Sequence, residues 1–308
     1  MNPPSPKPLP QDALSQVLDI LRLKGSSVST LVLPHPHRTD HAPGLPCLYA
    51  VREGAMVFEH GDGVSVTAGQ GEVVLLARGT AHTVACGHGH ARATALQGYF
   101  DFDGGFAARF LGPLPALIRL PSPPSGAYDW VEIGCALIAE ESEQELAGAA
   151  AMVSRILDLL FVRTLRTWAA QNHAQTGWLA GAMDPRIGRA IAAMHAQPQR
   201  NWSLEELAAL GPMSRTAFAE RFANVVGETP MAYLNGWRLD CAARLLLGAS
   251  TVGSAALGVG YTSVSAFSRA FKARHGCSPV EYGRDAVLEN ARPGRLAAQK
   301  SAPNAELP

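Results

Sequence analysis

The sequence lacks most marks of a secreted or membrane-bound protein. Its five cysteines, at positions 47, 86, 135, 241 and 277, are scattered, odd in number and include no CxxC pair, which argues against a disulfide framework. Such cysteine use is typical of a reducing compartment, so we expect a cytoplasmic protein. No run of about eighteen apolar residues occurs, so no membrane span is expected. The proline-rich start, MNPPSPKPLPQ, differs from the apolar segment of a signal peptide.

Several enzyme signatures are missing as well. The chain has no GxSxG elbow, no GxxxxGK[ST] phosphate loop and no complete triad of metal ligands, and each of these patterns carries a known chemistry. We therefore predict no catalytic residue, no metal, no cofactor and no enzyme activity.

The net charge of the whole chain is zero, but the two parts of the chain differ in net charge. The 26 Lys and Arg residues equal the 26 Asp and Glu residues. Residues 184–284, however, hold eleven basic against seven acidic side chains, and residues 1–183 hold twelve against sixteen. A basic module joined to an acidic one is typical of a DNA-binding part beside a sensing part.

The first half of the chain predicts a short helix followed by a β-domain. Residues 12–23 carry Leu and Val at helical spacing, and we assign them, with the proline-rich leader, to a segment 1–25. From 26 to 126, short runs rich in Val, Leu and Tyr alternate with Gly, Pro and Asp, which indicates a β-sandwich or barrel. Residues 61–63 predict a hairpin turn, and the proline-heavy residues 112–126 predict a connector. The expected strands are 28–33, 47–51, 55–59, 64–67, 72–76, 82–85 and 93–102.

One stretch of this region, Gly71 to His82, has a sharper pattern. Its glycines and His82 have the spacing of the second motif of the cupin jelly rolls, which the region resembles, although Ala77 stands where that family has proline. The resemblance implies that a strand ends in a tight turn and directs His82 into the mouth of the barrel.

The same resemblance suggests where a signal is sensed. His41 and Cys47 fall at ligand positions of the first cupin motif, but Pro43 replaces its second histidine. We therefore expect an effector site without a catalytic metal, and its candidate residues are His41, Cys47, Tyr49 and His82. Two alternatives remain open. One is a metal-dependent cupin enzyme with a nucleic-acid tether, and the other is a regulator that senses redox state through Cys47 or Cys86.

Two helices are predicted next, at 128–143 and 146–171. The first has Trp130, Ile133, Leu137 and Ile138 on one face, and the second is apolar over a broad face. Such a helix needs more cover than a small barrel offers, so we assign 127–183 to a helical dimerisation and linker segment. Packing within the chain is the alternative, and 172–183 is expected to be a hinge.

The last part of the chain contains a duplicated pattern. Residues 211–233 and 260–282 match at a constant offset of 49 residues, with turn glycines, cap hydroxyls, paired phenylalanines and a final tyrosine in register. Such a repeat marks two copies of one supersecondary unit. Each copy reads as helix, glycine turn and amphipathic helix, which is a helix-turn-helix. Residues 231–247 predict a long helix between the copies.

The stretches MSRTAFAERF, GETPMAYL and GYTSVSAFSRAFKARHGCSPVEY closely resemble the DNA-binding domain of the AraC/XylS family of bacterial transcription regulators. The resemblance covers residues 184–284 and implies a sequence-specific regulator whose two second helices enter successive major grooves. It places base-reading side chains six, three and two residues before the second phenylalanine of each unit. These are Thr216, Ala219 and Glu220, then Ser265, Ser268 and Arg269.

Arg269 is the strongest base-reading candidate, because arginine pairs bidentately with guanine. Glu220 has two equal alternatives, acceptance from a cytosine amine or a salt bridge at the surface. Phosphate contacts are expected from flanking cations and from the helix N-termini, namely at Ser214, Arg215, Arg221, Ser263 and Lys272.

Together these patterns predict an α+β chain. A cupin-like β jelly roll and a helical linker precede an all-α domain with two helix-turn-helix units, and residues 285–308 are expected to be a disordered tail. The expected partners are double-stranded promoter DNA, a small-molecule effector, a second copy of the chain, and RNA polymerase if the protein is an activator. No membrane association is expected.

Overall fold

The computed structural model describes residues 12–61, 63–102, 107–124, 129–144, 146–172, 176–248 and 250–290. The chain divides into two compact units, Met1–Gly188 and Arg189–Pro308. Within the described ranges, no helix combines the length and the apolar character needed to cross a membrane.

The first unit is built on two antiparallel sheets. Its strands are β1 Lys24–Pro34, β2 Arg38–His41, β3 Cys47–Glu53, β4 Ala55–His60, β5 Val64–Gly69, β6 Val73–Leu76, β7 His82–Cys86, β8 Arg92–Asp101 and β9 Ile118–Leu120. One sheet has five strands in the order β1-β8-β3-β6-β9, and the other has four in the order β2-β7-β4-β5. The predicted cupin-like sandwich is confirmed, and the hairpin of β4 and β5 pairs His60 with Val64.

The five-stranded sheet is buried on both faces. On β3, Cys47, Tyr49 and Val51 belong to the core that both sheets share, as the alternation of a strand requires. Leu48 and Ala50, on the other face, are buried too. A continuous buried run of this kind indicates that a further layer covers the outer face.

Helices supply that layer. The first unit contains α1 Ala13–Leu21, α2 Ala107–Leu111, α3 Trp130–Gln144, α4 Ala149–Gln171 and α5 Trp178–Met183. Helix α4 lies against the outer face, where Gly25 and Gly98 permit its approach. A Cβ at either glycine would lie 2.5 Å from an atom of Leu157. The Gly25 N–H also donates to Asp158 Oδ1 of α4 at 2.7 Å.

Four elements of this unit are not predicted by the sequence, namely β2, β9, α2 and α5. Strand β9 lies in the expected connector and α5 in the expected hinge, so both expectations are wrong for these residues. Trp178 of α5 donates a hydrogen bond to the Phe110 carbonyl at 2.7 Å and packs edge-on against the Phe110 ring. Tertiary contacts therefore fold part of the expected hinge onto the unit.

The apolar face predicted for α3 is wrong for Ile133 and Leu137 and right for Ile138. Ile133 and Leu137 are 49% and 42% exposed, whereas Val131, Cys135 and Ile138 are buried. At about 100° per residue these two sets lie on different sides of the helix. The buried set faces α4, its principal neighbour, and Ile133 and Leu137 stay outside.

The second unit is helical in its described residues. It contains α6 Gly188–Ala196, α7 Leu204–Ala209, α8 Arg215–Val226, α9 Pro230–Leu247, α10 Val252–Gly258, α11 Val264–His275 and α12 Pro279–Asn290. Helices α7 and α8 form one helix-turn-helix, α10 and α11 form the other, and α9 joins them. Both predicted units are confirmed.

The duplication in the sequence recurs in the packing. The rings of Phe222 and Tyr233 meet edge-on at 5.6 Å, and the equivalent rings of Phe271 and Tyr282 meet edge-on at 5.4 Å. All four lie 49 residues from their counterparts. The two copies therefore share one aromatic core pattern.

Three details of this unit differ from the sequence prediction. Helical spacing predicts an inward Ala217 on α8 and a buried Leu245 on α9, but Ala217 is exposed and Leu245 is 38% exposed. Helix α12 continues to Asn290, so a disordered tail from 285 is wrong for residues 285–290. Residues 291–308 lie outside the described ranges.

Gly25→Ala should destabilise the first unit by about 1–3 kcal/mol, as overpacking of a tight contact does. The new Cβ would meet Leu157 Cβ at 2.5 Å and the Ser154 carbonyl at 2.8 Å. Gly69→Ala is the matched control, because no atom lies within 4 Å of a Cβ there. Urea unfolding followed by circular dichroism measures both variants, and equal midpoints would contradict the role given to Gly25.

Candidate nucleic-acid interface and signal site

The second helix of each helix-turn-helix begins at a serine cap. Ser214 Oγ accepts from the Ala217 N–H at 3.2 Å, and Ser263 Oγ accepts from the Ala266 N–H at 3.3 Å. Each cap satisfies one of the unpaired N–H groups of the first turn. Both serines are exposed, so the positive end of each helix is open to an anion such as a phosphate.

Helix α11 presents a polar, cationic side to solvent. Ser265, Arg269 and Lys272 are exposed, and Ser268 is half-buried. The three exposed residues have i, i+4 and i+7 spacing, which places them on one side of the helix. Phe267 lies on the opposite side and is fully buried. The structure therefore brings together all the residues that the sequence assigns to this helix.

Helix α8 presents a weaker face. Thr216 and Glu220 are exposed, while Ala219 and Arg221 are half-buried. Glu220 occupies the position equivalent to Arg269, and among the described residues it forms no salt bridge. The surface-pair alternative for Glu220 therefore gains no support.

Arg215, at the start of α8, has a partner on the preceding helix. Its Nη1 lies 2.9 Å from Glu205 Oε1, with side chains 63% and 60% exposed. An exposed pair of this kind contributes about 0–1 kcal/mol. Arg215 can therefore exchange Glu205 for a phosphate at little cost.

Buried polar side chains hold the helices that carry this interface. Arg238 of α9 donates to the carbonyls of Pro198 and Arg200 at 2.6 and 2.8 Å, which ties the loop after α6 to α9. His195 Nε2 and Tyr233 Oη lie 2.8 Å apart. Sequence reasoning assigns these residues no role, although an arginine within an apolar helix is a signal for a buried, paired donor.

In the first unit, three of the four effector candidates form one cluster between the sheets. The rings of His41 and His82 are stacked 4.7 Å apart, and His82 Nε2 lies 2.7 Å from Tyr49 Oη. His82 Nδ1 must donate to the Thr80 carbonyl, 2.9 Å away, because a carbonyl only accepts. In neutral His82, Nε2 then accepts from the Tyr49 hydroxyl. The cupin motif predicted the inward direction of His82 correctly.

Sequence reasoning missed two members of this cluster. Gln97 Nε2 donates to Tyr49 Oη at 2.7 Å. Because side chains alternate along a strand, counting every second residue of β8 predicts that Gln97 points inward. Thr80 contributes its carbonyl. Its hydroxyl, like His41 Nε2, is buried without a hydrogen-bond partner among the described residues.

The cluster is electrically neutral at neutral pH. Burial lowers the pKa of His41 and of His82, so both imidazoles are uncharged. Burial raises the pKa of the Cys47 thiol to about 12 and raises the pKa of Tyr49. Cys47 is therefore a thiol and a weak nucleophile, which disfavours it as a redox sensor.

Metal binding gains no support from this geometry. Both nitrogens of His82 are engaged in hydrogen bonds, so neither is available as a ligand in this arrangement. Across the part of the chain that the structure describes, no group of three or more His, Cys, Asp or Glu side chains is arranged to hold a metal ion.

A cavity of about 620 Å³ lies where β3 begins and where β6 and β8 end. Its volume falls within the range of small-molecule sites. None of the four effector candidates lines it, and its walls include Pro46, Ala77, Arg78, Asp101, Phe102 and Leu111. The first unit thus offers a second place for a small molecule, which sequence reasoning missed.

The fold and these sites define a class of protein, a cupin-type sandwich followed by a double helix-turn-helix module. A family profile described as "Cupin" matches residues 12–170, and one described as "Helix-turn-helix domain" matches residues 207–285. The HTH-type transcriptional regulator AlkR of Acinetobacter baylyi is 31% identical over 302 residues, which cover 88% of this chain and 98% of AlkR.

A second relative is the RCS-specific HTH-type transcriptional activator RclR of Escherichia coli. It is 32% identical over 277 residues, which cover 88% of this chain and 96% of RclR. The fatty-acid-bound structure of ToxT from Vibrio cholerae matches 83% of this chain and 94% of its own, at 13% identity and a TM-score of 0.38. The chain belongs to the AraC-like transcriptional regulators. It is therefore a DNA-binding transcriptional regulator.

Arg269→Ala should weaken binding to the specific promoter by about 1–3 kcal/mol, the usual value of one bidentate base contact. Lys272→Ala, on the same side of α11, is the matched control for a phosphate contact. It should weaken binding to all DNA evenly and lower the slope of log K against log salt by about 0.9. Titrations on promoter and random duplexes measure both, and an equal loss on the two duplexes for Arg269→Ala would contradict base reading.

Proposed function

We propose that the protein regulates transcription in the cytoplasm by reading promoter DNA with α8 and α11. The observation that carries the proposal is the duplicated unit. Each copy buries its aromatic residues on one side and exposes a capped, polar side on the other. Two such helices in one chain suit two successive major-groove faces.

The two reading helices have different tasks in this proposal. Helix α11 supplies the directional contacts, with Arg269 on guanine and with Ser265 and Ser268 as adaptable hydrogen-bond donors. Helix α8 supplies Glu220 for a cytosine amine, and its Thr216 methyl suits thymine. If the protein is an activator, a further surface contacts RNA polymerase.

We infer that the signal is a small, neutral molecule that forms hydrogen bonds. The cluster of His41, Tyr49 and His82 carries no charge, and an ion buried beside it would lack a partner. The buried, unpaired His41 Nε2 and Thr80 Oγ1 are the groups that such a molecule would satisfy. A hydrogen bond from the ligand to each of these groups would contribute about 1–3 kcal/mol to the binding free energy.

Tyr49→Phe should abolish or strongly weaken the response to the signal and leave DNA binding without the signal unchanged. The substitution removes the hydroxyl that links Gln97 to His82 but keeps the ring. Promoter footprinting with a panel of metabolites and oxidants first identifies the compound that changes the wild-type footprint. The variant is then titrated with that compound.

Arg78→Ala is the matched comparison, because Arg78 lines the cavity of about 620 Å³ and not the cluster. A response lost in Arg78→Ala and kept in Tyr49→Phe would place the signal in the cavity instead. A response to oxidants that Cys86→Ser alone abolishes would restore the redox alternative.

We propose, further, that the protein is a homodimer formed through α3 and α4. These helices carry large apolar side chains at the surface: Ile133 at 49%, Leu137 at 42%, Met152 at 49% and Leu159 at 62% exposure. Exposed apolar residues gathered on neighbouring helices are typical of a subunit interface.

Leu159→Asp should shift the protein from dimer to monomer, because it places a charge in the centre of the apolar interface. Leu257→Asp is the matched control, since Leu257 is a helical leucine of the second unit with 67% exposure. Sedimentation equilibrium measures the mass of both variants. A wild-type monomer, or a dimer that Leu159→Asp leaves intact, would overturn this arrangement.

A further inference from the structure

Helix α11 is tied to α9 by an ion pair whose carboxylate is buried and whose guanidinium is partly exposed. Arg274 donates from Nε to Asp240 Oδ1 at 2.9 Å and from Nη2 to Asp240 Oδ2 at 3.1 Å. The Asp240 side chain is 3% exposed and that of Arg274 is 26% exposed. A bidentate pair holds the guanidinium and the carboxylate in one plane, so it constrains the rotation of the two groups as well as their distance.

The position of Arg274 on the helix separates it from the reading side. At about 100° per residue, Arg274 lies about 20° from the buried Phe267 and about 140° from Arg269. Lys272 lies about 160° from Arg274 by the same count. Arg274 is therefore a cation of a DNA-reading helix that belongs to its core-facing side.

The first helix-turn-helix copy has no ion pair at the corresponding positions. Within the repeat, Arg274 of α11 corresponds to Val225 of α8, and the same offset extended from Asp240 of α9 leads to Ile191 of α6. Both earlier residues are apolar. A buried ion pair carries a desolvation cost that an apolar pair avoids, and burial lowers the pKa of Arg274 although a guanidinium stays protonated at neutral pH. The helix-turn-helix fold does not require the ion pair. A role in orienting α11 accounts for the pair better.

We propose that Arg274 and Asp240 are positioning residues for DNA reading. Their ion pair sets the rotation of α11 about its own axis, so that Ser265, Arg269 and Lys272 face the DNA together. The inference rests on the proposed role of α11 as a reading helix. It implies that Arg274 makes no phosphate contact.

The first test compares the full chain with its Asp240→Asn variant on two duplexes of equal length, the footprinted promoter and a random sequence, over a range of salt concentrations. Asp240→Asn should lower promoter affinity about tenfold, the loss expected when one base contact is misplaced. Affinity for the random duplex should stay equal or rise, because a negative charge is removed. An equal loss on both duplexes would overturn the proposal.

The second test transfers to α9 and α11 the apolar residues found 49 positions earlier in the same unit. Arg274→Ala should weaken promoter binding without changing the salt slope. The double variant Asp240→Ile with Arg274→Val should recover promoter affinity to within about threefold of wild type, since an apolar pair can replace a buried ion pair. A phosphate-binding Arg274 gives the opposite result. Its loss lowers the salt slope by about 0.9, and the double variant stays as weak as Arg274→Ala.

Arg269→Ala and Lys272→Ala separate this inference from the function on which it rests. If neither variant changes DNA binding, the proposed reading role of α11 fails. If both weaken DNA binding while Asp240→Asn does not, only the positioning role fails. Thermal melting by circular dichroism checks that each variant is folded, and the double variant decides the question if a single variant unfolds.

Discussion

The burial of paired phenylalanines is the constraint on which both reading helices depend. In α11, Phe267 and Phe271 are fully buried, and two aromatic residues four positions apart fix which side of the helix meets the core. The opposite side, with Ser265 and Arg269, then has to face solvent. Core packing therefore decides which side chains of the helix face solvent before any polar contact forms. The same argument holds for α8, although its outward side chains are less polar.

A parallel constraint shapes the first unit, whose five-stranded sheet is buried on both faces. The outer face admits α4 only because two glycines leave room for Leu157. The inner face buries polar groups, which must then find partners inside the protein. Tyr49, Gln97 and His82 satisfy one another, and an uncharged cluster results. Its unsatisfied atoms define where a ligand would gain most, which composition alone does not reveal.

Features set by local sequence were predictable, and features set by tertiary pairing were not. Serine caps, turn glycines and the repeat are local, so both helix-turn-helix units followed from the sequence. Strand β2 is polar, with Arg38 and Asp40 alternating with Thr39 and His41, and it becomes a strand only by pairing with β7. Helix α3 offers two apolar stripes, and only the presence of α4 selects between them. Gln97 belongs to no motif. Alternation along β8 gives its inward direction, but its contact with Tyr49 depends on the register that places the two residues opposite each other.

The ion pairs of α8 and α11 show that two arginines of similar helices can differ in burial. Arg215 and Arg274 are both cations of second helices, but the sequence predicts a phosphate contact only for Arg215 and assigns no role to Arg274. Arg215 pairs with Glu205 in solvent, where the pair is weak and readily exchanged. Arg274 pairs with an Asp240 that is 3% exposed, and breaking that pair would remove the two hydrogen bonds that the guanidinium donates to this buried carboxylate. The exposed pair of Arg215 can thus be exchanged for another anion at little cost, whereas the pair of Arg274 is part of the packing between α9 and α11.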